Sequence, residues 1–290
     1  MQLPPGDLAK PFQIGIRPFE LAEWIDADDQ LGLYLDEKAR LWATERAAVF
    51  AAEAETGPAQ AEVLALLADH LPAQLPKLYR RDGASIELAG RRVALDSPEP
   101  PLAIAASLVQ EDLVLMRRGA EHWRLAAASL CFPSAWVLAE KFGLPMHEVH
   151  GPVPDFAGGT RNAQLIERMF DNLRPEVGMI RWNWSLFGDD RLFHPDGHPG
   201  GPRFGEAATS AWLRLERQTF RKLPVSGDIV FGIRIYINPI AALGRLPEGP
   251  SIAATLSRQL VAMTPEQAEY KGLIDERDAL LARLASLMVR

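Results

Sequence analysis

The sequence predicts an α+β fold: an antiparallel sheet with a helical excursion covering one face, N-terminal helices before it and a C-terminal helical tail after it. Three observations predict it. Apolar residues recur at helical spacing over 31–70 and again from Thr264, but alternate with a period near two in runs between Ser85 and Asn238. Those alternating runs come as two, then a helical stretch over 133–175, then three more. The joints within the first pair, at Arg118-Gly119, and between the last two, over 222–227, are short, as antiparallel neighbours allow.

Taken in order, residues 1–19 carry four prolines and predict an extended, irregular arm. Leu35, Ala39, Leu41, Trp42, Val49 and Phe50 set an amphipathic helix over 31–55. Gly57-Pro58 restarts a second helix over 59–70, which Pro72 and Pro76 end. A small hairpin over 85–95 turns on Ala89-Gly90, and a proline-rich link leads to the first two sheet strands, 112–117 and 122–132. The excursion holds a helix over 163–173, with Leu165, Ile166, Met169, Phe170 and Leu173 as its stripe, and a short turn carrying His147 and His150 before Pro152. The later strands run over 179–187, 211–220 and 228–238, with a Gly-, Pro- and Asp-rich covering loop over 188–205. Thr264-Pro265-Glu266-Gln267 reads as a helix start, and the tail from there packs on the N-terminal pair or on a partner chain. The expected parts are 1–80, an arm and helices packed on the core; 81–245, the core; and 246–290, the tail, together one compact unit. Two hairpin strands, a helical excursion and three further strands match the connectivity of a PAS-like domain, in which the excursion closes a pocket against the sheet.

With 48% hydrophobic and 24% charged residues the chain can bury a sizeable core. A net charge of −7 excludes a nucleic-acid surface, which needs clustered Lys and Arg. A lone cysteine, Cys131 between Leu130 and Phe132, excludes an intrachain disulfide and any self-contained iron–sulfur site, and reads as a buried, inert thiol. No run of apolar residues is long enough to span a membrane, and no basic, apolar leader opens the chain, so a cytoplasmic location is expected. No GxSxG, GxGxxG after a strand, P-loop or HExxH is present.

The chemistry-bearing residues fall in few places. His150 ends its turn and is either a capping residue or a ligand. Arg214, Glu216 and Gln218 share one face of a strand, with Arg217 and Thr219 on the other; they form a cross-strand network with Arg181 or Arg234, or a clamp for a carboxylate. Trp182 and Trp184 share a face, as core or as the wall of a flat ligand. Glu111 and Asp112 stand at a strand entrance.

Set side by side, LVQEDLVLM (108–116), SLCFPSAW (129–136), HGPVPDF (150–156), RWNWSL (181–186) and RLERQTFRKLPVSGDIVFGIRIYINPI (214–240) make the chain resemble the haem-dependent oxidative N-demethylase family. Two positions depart from that pattern: Ser134-Ala135-Trp136 has no glycine before its tryptophan, and Trp182-Asn183 stands where an arginine–asparagine pair is commoner. The resemblance implies a PAS-like domain binding haem b and acting as a monooxygenase component. It would demethylate a secondary amine such as dimethylamine to formaldehyde and the shorter amine, using O2. Electrons would come from NADPH through flavin and iron–sulfur centres on partner reductase components. It implies His150 as the axial iron ligand, with His147 or His194 as rivals, and Arg217, Arg234 and Arg181 for the haem propionates. Glu216 or Glu111 would hold the protonated amine, with Trp184 beside it. The alternative is a haem- or small-ligand-binding sensor or structural subunit of the same fold.

Overall fold

The computed structural model describes residues 11–134, 136–195 and 202–288. The first ten residues of the arm, Ala135, residues 196–201 of the covering loop and the last two residues of the tail lie outside them. The described part of the arm ends as a short strand, β1 (Arg17–Phe19).

Helix α1 (Leu31–Thr44) buries Leu31, Tyr34, Leu35, Lys38 and Leu41, a stripe at helical spacing. It stops eleven residues short of the predicted end at position 55, since the chain leaves the helix at Glu45. One further turn, α2 (Arg46–Val49), gives way to strand β2 (Phe50–Ala52), which pairs with the sheet edge at Ala127–Ser129. Edge pairing of Phe50 outweighs its place in the helical pattern. Helix α3 (Gly57–Gln74) runs past the predicted stop, carrying Pro72 inside it. Pro72 has no N–H for the carbonyl of Ala68, and Arg81 Nη1 approaches that oxygen at 3.4 Å instead.

The predicted hairpin is part of a separate three-stranded sheet: β3 (Tyr79–Asp82), β4 (Ser85–Leu88) and β5 (Arg91–Ala94). Helix α4 (Pro101–Ala106) then leads into the main sheet. Its strands are β6 (Asp112–Arg118), β7 (Trp123–Ser129), β8 (Gly178–Phe187), β9 (Trp212–Lys222) and β10 (Ile229–Pro239), with β1 and β2 at the edges. The order is β1-β8-β9-β10-β6-β7-β2, and every pairing is antiparallel.

Register divides the side chains between two faces. Arg181 pairs with Gln218, and Asn183 with Glu216, on one face; Trp182 pairs with Arg217, and Arg217 with Arg234, on the other. The excursion covers the first face with α5 (Leu138–Lys141), α6 (Met146–Val149) and α7 (Arg161–Asn172), burying Phe132, Phe156, Ile166 and Phe170 with Phe220 and Ile233. Thr160 caps α7 by accepting from Ala163 N–H at 3.2 Å.

The second face is covered twice. Residues 24–35, α3 and α4 pack over Leu113, Leu115 and Val230. A 3₁₀ turn, Ile240–Arg245, helix α8 (Gly249–Ala262) and the tail pack over Trp184, Leu213, Leu215 and Tyr236. The tail is two helices, α9 (Pro265–Tyr270) and α10 (Arg277–Met288). It packs with α8 against the sheet rather than on the N-terminal pair, one of the two places expected for it, because Leu273, Leu280 and Leu284 complete the cover of that apolar face. No helix among the described residues is long and apolar enough to cross a membrane.

Candidate functional site

Between the first face and the excursion lies a cavity of about 350 Å³. Its floor is Arg181, Asn183, Glu216, Gln218, Phe220 and Ile233 from three strands, and its roof includes Met146, His150, Phe156, Ile166 and Phe170. Phe12, Ile14 and Ile16 from the arm and Tyr270 and Lys271 from the tail complete the wall.

His150 ends the single turn of α6 as the sequence predicts. Its backbone N–H and its ring Nδ1 both meet the carbonyl of Met146, each at 3.0 Å. An acceptor at that distance fixes the proton on Nδ1, so Nε2 carries the free lone pair on a ring that lines the cavity. Burial, reinforced by the charge of Arg181, pushes its pKa down to about 4, so the ring is neutral at pH 7.

The other two histidines sit elsewhere. His147 packs edge-on against His122, ring centroids 4.5 Å apart, outside the cavity lining. His194 lies against Phe187 at 4.3 Å, with Nε2 2.9 Å from the carbonyl of Arg191, also outside it. Cys131 is buried, and burial with the nearby Asp112 carboxylate pushes its thiol up to about 12, as an inert thiol requires.

Of the carboxylates, Glu216 faces the cavity. Its Oε2 accepts from Asn183 Nδ2 at 3.3 Å and from Gln218 Nε2 at 2.6 Å. Arg181 stands beside it, its Nε buried and without a hydrogen bond, and no described residue bonds the guanidinium. Burial lowers its pKa while Glu216 pulls it back up.

The remaining predicted residues, Glu111, Arg217, Arg234 and Trp184, are on the opposite side of the sheet from His150. Arg217 donates to the carbonyls of Trp24, at 3.0 Å, and Glu23. Arg234 donates to the carbonyl of Asp26 at 3.2 Å, to Asp28 at 2.9 Å and to the carbonyl of Ile235, its guanidinium between the rings of Tyr34 and Tyr236. Glu111 is fully buried, accepts from Asp26 N–H at 3.0 Å, and has its pKa raised by burial. Trp184 donates from Nε1 to Gln259 at 2.6 Å. Together these groups pin residues 23–28 and α8 to the second face.

Two residues noted in the sequence, Arg214 and Asp112, support the site from outside its lining, and one that the sequence did not single out, Lys271, joins the lining. Arg214 is buried on the first face and donates to Ser134 Oγ at 2.8 Å and to the carbonyls of Phe132 and Leu192 at 2.6 and 3.2 Å, fixing the start of the excursion. Asp112 holds the same segment from the other side, accepting from the N–H groups of Cys131 and Phe132 at 2.9 and 2.7 Å. Lys271 is 6% exposed, donates to the carbonyl of Trp184 at 2.6 Å, and lies near the rings of Phe12 and Trp184. Burial, with Arg181 adding to it against Glu216, pushes its pKa down to about 8. In the sequence it is one lysine at a helix end, with nothing to mark it.

Among the described residues no group of three or more His, Cys, Asp or Glu could hold a bare metal ion. A lone neutral imidazole over a cavity of mixed apolar and charged lining suits instead a metal whose other ligands come with a cofactor. The model of the family described as haem-dependent oxidative N-demethylase, alpha subunit-like, matches residues 15–281.

Proposed function

Because the chain belongs to the haem-dependent oxidative N-demethylase, alpha subunit-like family, we propose that its cavity would hold haem b with His150 as the residue that ligates the iron, and that it is the oxygenase component that demethylates a secondary amine of the dimethylamine class. The observation that carries this reading is the pose of His150: Nδ1 held by Met146, Nε2 free, and the ring neutral on the cavity wall. When bound, haem supplies O2 activation, driven by electrons from NADPH through flavin and iron–sulfur centres on partner subunits.

The residues have separable tasks. His150 ligates through Nε2 and is oriented through Nδ1. Glu216 receives the protonated amine. Its Oε2 already accepts from Asn183 and Gln218, which leaves Oε1 for an ammonium N–H. Arg181, of the three arginines expected at propionates, is the one that lines the cavity and can meet a carboxylate there. Phe156, Ile166, Phe170 and Phe220 exclude water from the bound amine. We read the sheet as a PAS-like core, supported by its strand order and by an excursion that closes a cavity over one face.

The test is a visible absorption spectrum of the chain purified with haem available, oxidised and then reduced under carbon monoxide. A histidine-ligated haem spectrum, followed by formaldehyde release from dimethylamine with an added reductase, is the expected result. A colourless chain that refuses added haem b would overturn the reading.

A further inference from the structure

Charge in the cavity does not balance. Arg181, Lys271 and Lys141 are cations on its lining against the carboxylates of Glu216 and Glu140, and Glu216 is the carboxylate whose charge acts on both Arg181 and Lys271. That carboxylate already accepts from two amides, while no described residue hydrogen-bonds Arg181. Lys271 has three N–H donors and one described acceptor, the neutral carbonyl of Trp184. Buried cations with open donors require an anion or ordered polar partners.

We propose that Arg181 and Lys271 form a carboxylate-binding site in the cavity, with Lys271, delivered by the tail after α9, as its second cation. Two sources carry that chemistry: a propionate of the porphyrin, or the carboxylate of an N-methylated amino acid taken as substrate. The second would extend the substrate class from simple secondary amines to N-methylglycine-like ones. The inference rests on the cavity being the ligand site, as proposed above.

The test uses the full chain and paired probes that differ in a carboxylate. Haem b and haem b dimethyl ester are titrated by absorbance into the wild type and the Lys271→Met, Arg181→Met and Lys271→Arg variants. N-methylglycine and dimethylamine are titrated by calorimetry into the haem-loaded proteins. Each Met variant should weaken the carboxylate-bearing member of one pair by roughly tenfold to a hundredfold and leave its partner unchanged. Lys271→Arg should keep wild-type preference, which separates lost charge from lost folding. Weakening confined to haem b assigns the site to a propionate; weakening confined to N-methylglycine assigns it to the substrate. Equal effects on both members of each pair, or none, overturn the proposal. Should the wild type bind no haem, the functional reading fails by itself. N-methylglycine against dimethylamine on the haem-free chain then decides the anion site: binding lost in Lys271→Met supports it, and no binding removes it.

Discussion

His147 and His150 stand three positions apart on one turn, yet one ring meets His122 and the other lines the cavity. Replacing His150 with Ala should abolish the normal haem spectrum while far-UV dichroism holds, and His147→Ala should leave that spectrum intact; the reverse pattern would move the ligand to His147. Glu216→Gln should raise KM for the amine about tenfold or more with haem uptake unchanged, read from formaldehyde release against amine concentration. A third expectation concerns Lys38, which is 5% exposed and donates to the carbonyls of Ala106 and Val109 at 3.3 and 3.0 Å and to that of Glu111, with Asp112 at 3.9 Å. Lys38→Met leaves Asp112 buried without its counter-charge and should cost about 3–5 kcal/mol, measured by denaturant unfolding. Period-two alternation correctly separated Glu216 and Gln218 from Arg217. It says which residues share a face, but not which face has the cavity. For that reason Arg217, Arg234 and Trp184 were legible as a set yet expected on the wrong side, and Lys271 had no pattern to betray it.

At the scale of elements, local chemistry was most legible where a side chain satisfies its own backbone. Thr264 and Gln267 form the reciprocal cap that their spacing announces, with Thr264 Oγ1 accepting from Gln267 N–H at 3.3 Å. Less legible were elements decided by distant partners. Strand β2 exists because Ala127–Ser129 offers it an edge, and α3 outlasts Pro72 because Arg81 covers a carbonyl from a later strand. Helix α8 begins at Gly249, where any Cβ would collide with the backbone carbonyl of Leu243. Gly249→Ala should therefore destabilise the chain by about 1–3 kcal/mol, seen as a lower melting temperature, without shifting the haem spectrum.

Across the whole molecule, acid should act through histidines that folding keeps neutral. His70 and His194 are both pushed down to about 4, mainly by burial, with Arg221 beside the first and Arg214 beside the second. Their folded values lie below the unfolded one near 6.5, so the unfolded chain binds more protons between those limits. Their contribution is constant above about pH 6.5 and is lost as pH falls toward 4. The His70→Gln/His194→Gln double variant should lose less stability than the wild type between pH 7 and pH 5, by on the order of a few kcal/mol in paired denaturant titrations. Equal losses would show that these rings are accessible to protons in the native state.

The cavity draws its walls from segments nearly as far apart in sequence as the described chain allows: Phe12 to Ile16 on one side, Tyr270 and Lys271 on the other, with the ring of Phe12 meeting that of Tyr270 edge-on at 5.9 Å. Residues emerging from a ribosome arrive in sequence order. The residues of the sheet, the excursion and His150 therefore all leave the ribosome before the residues of one wall. Whatever the cavity encloses can be sealed in only after Tyr270 and Lys271 have been made and the tail has docked.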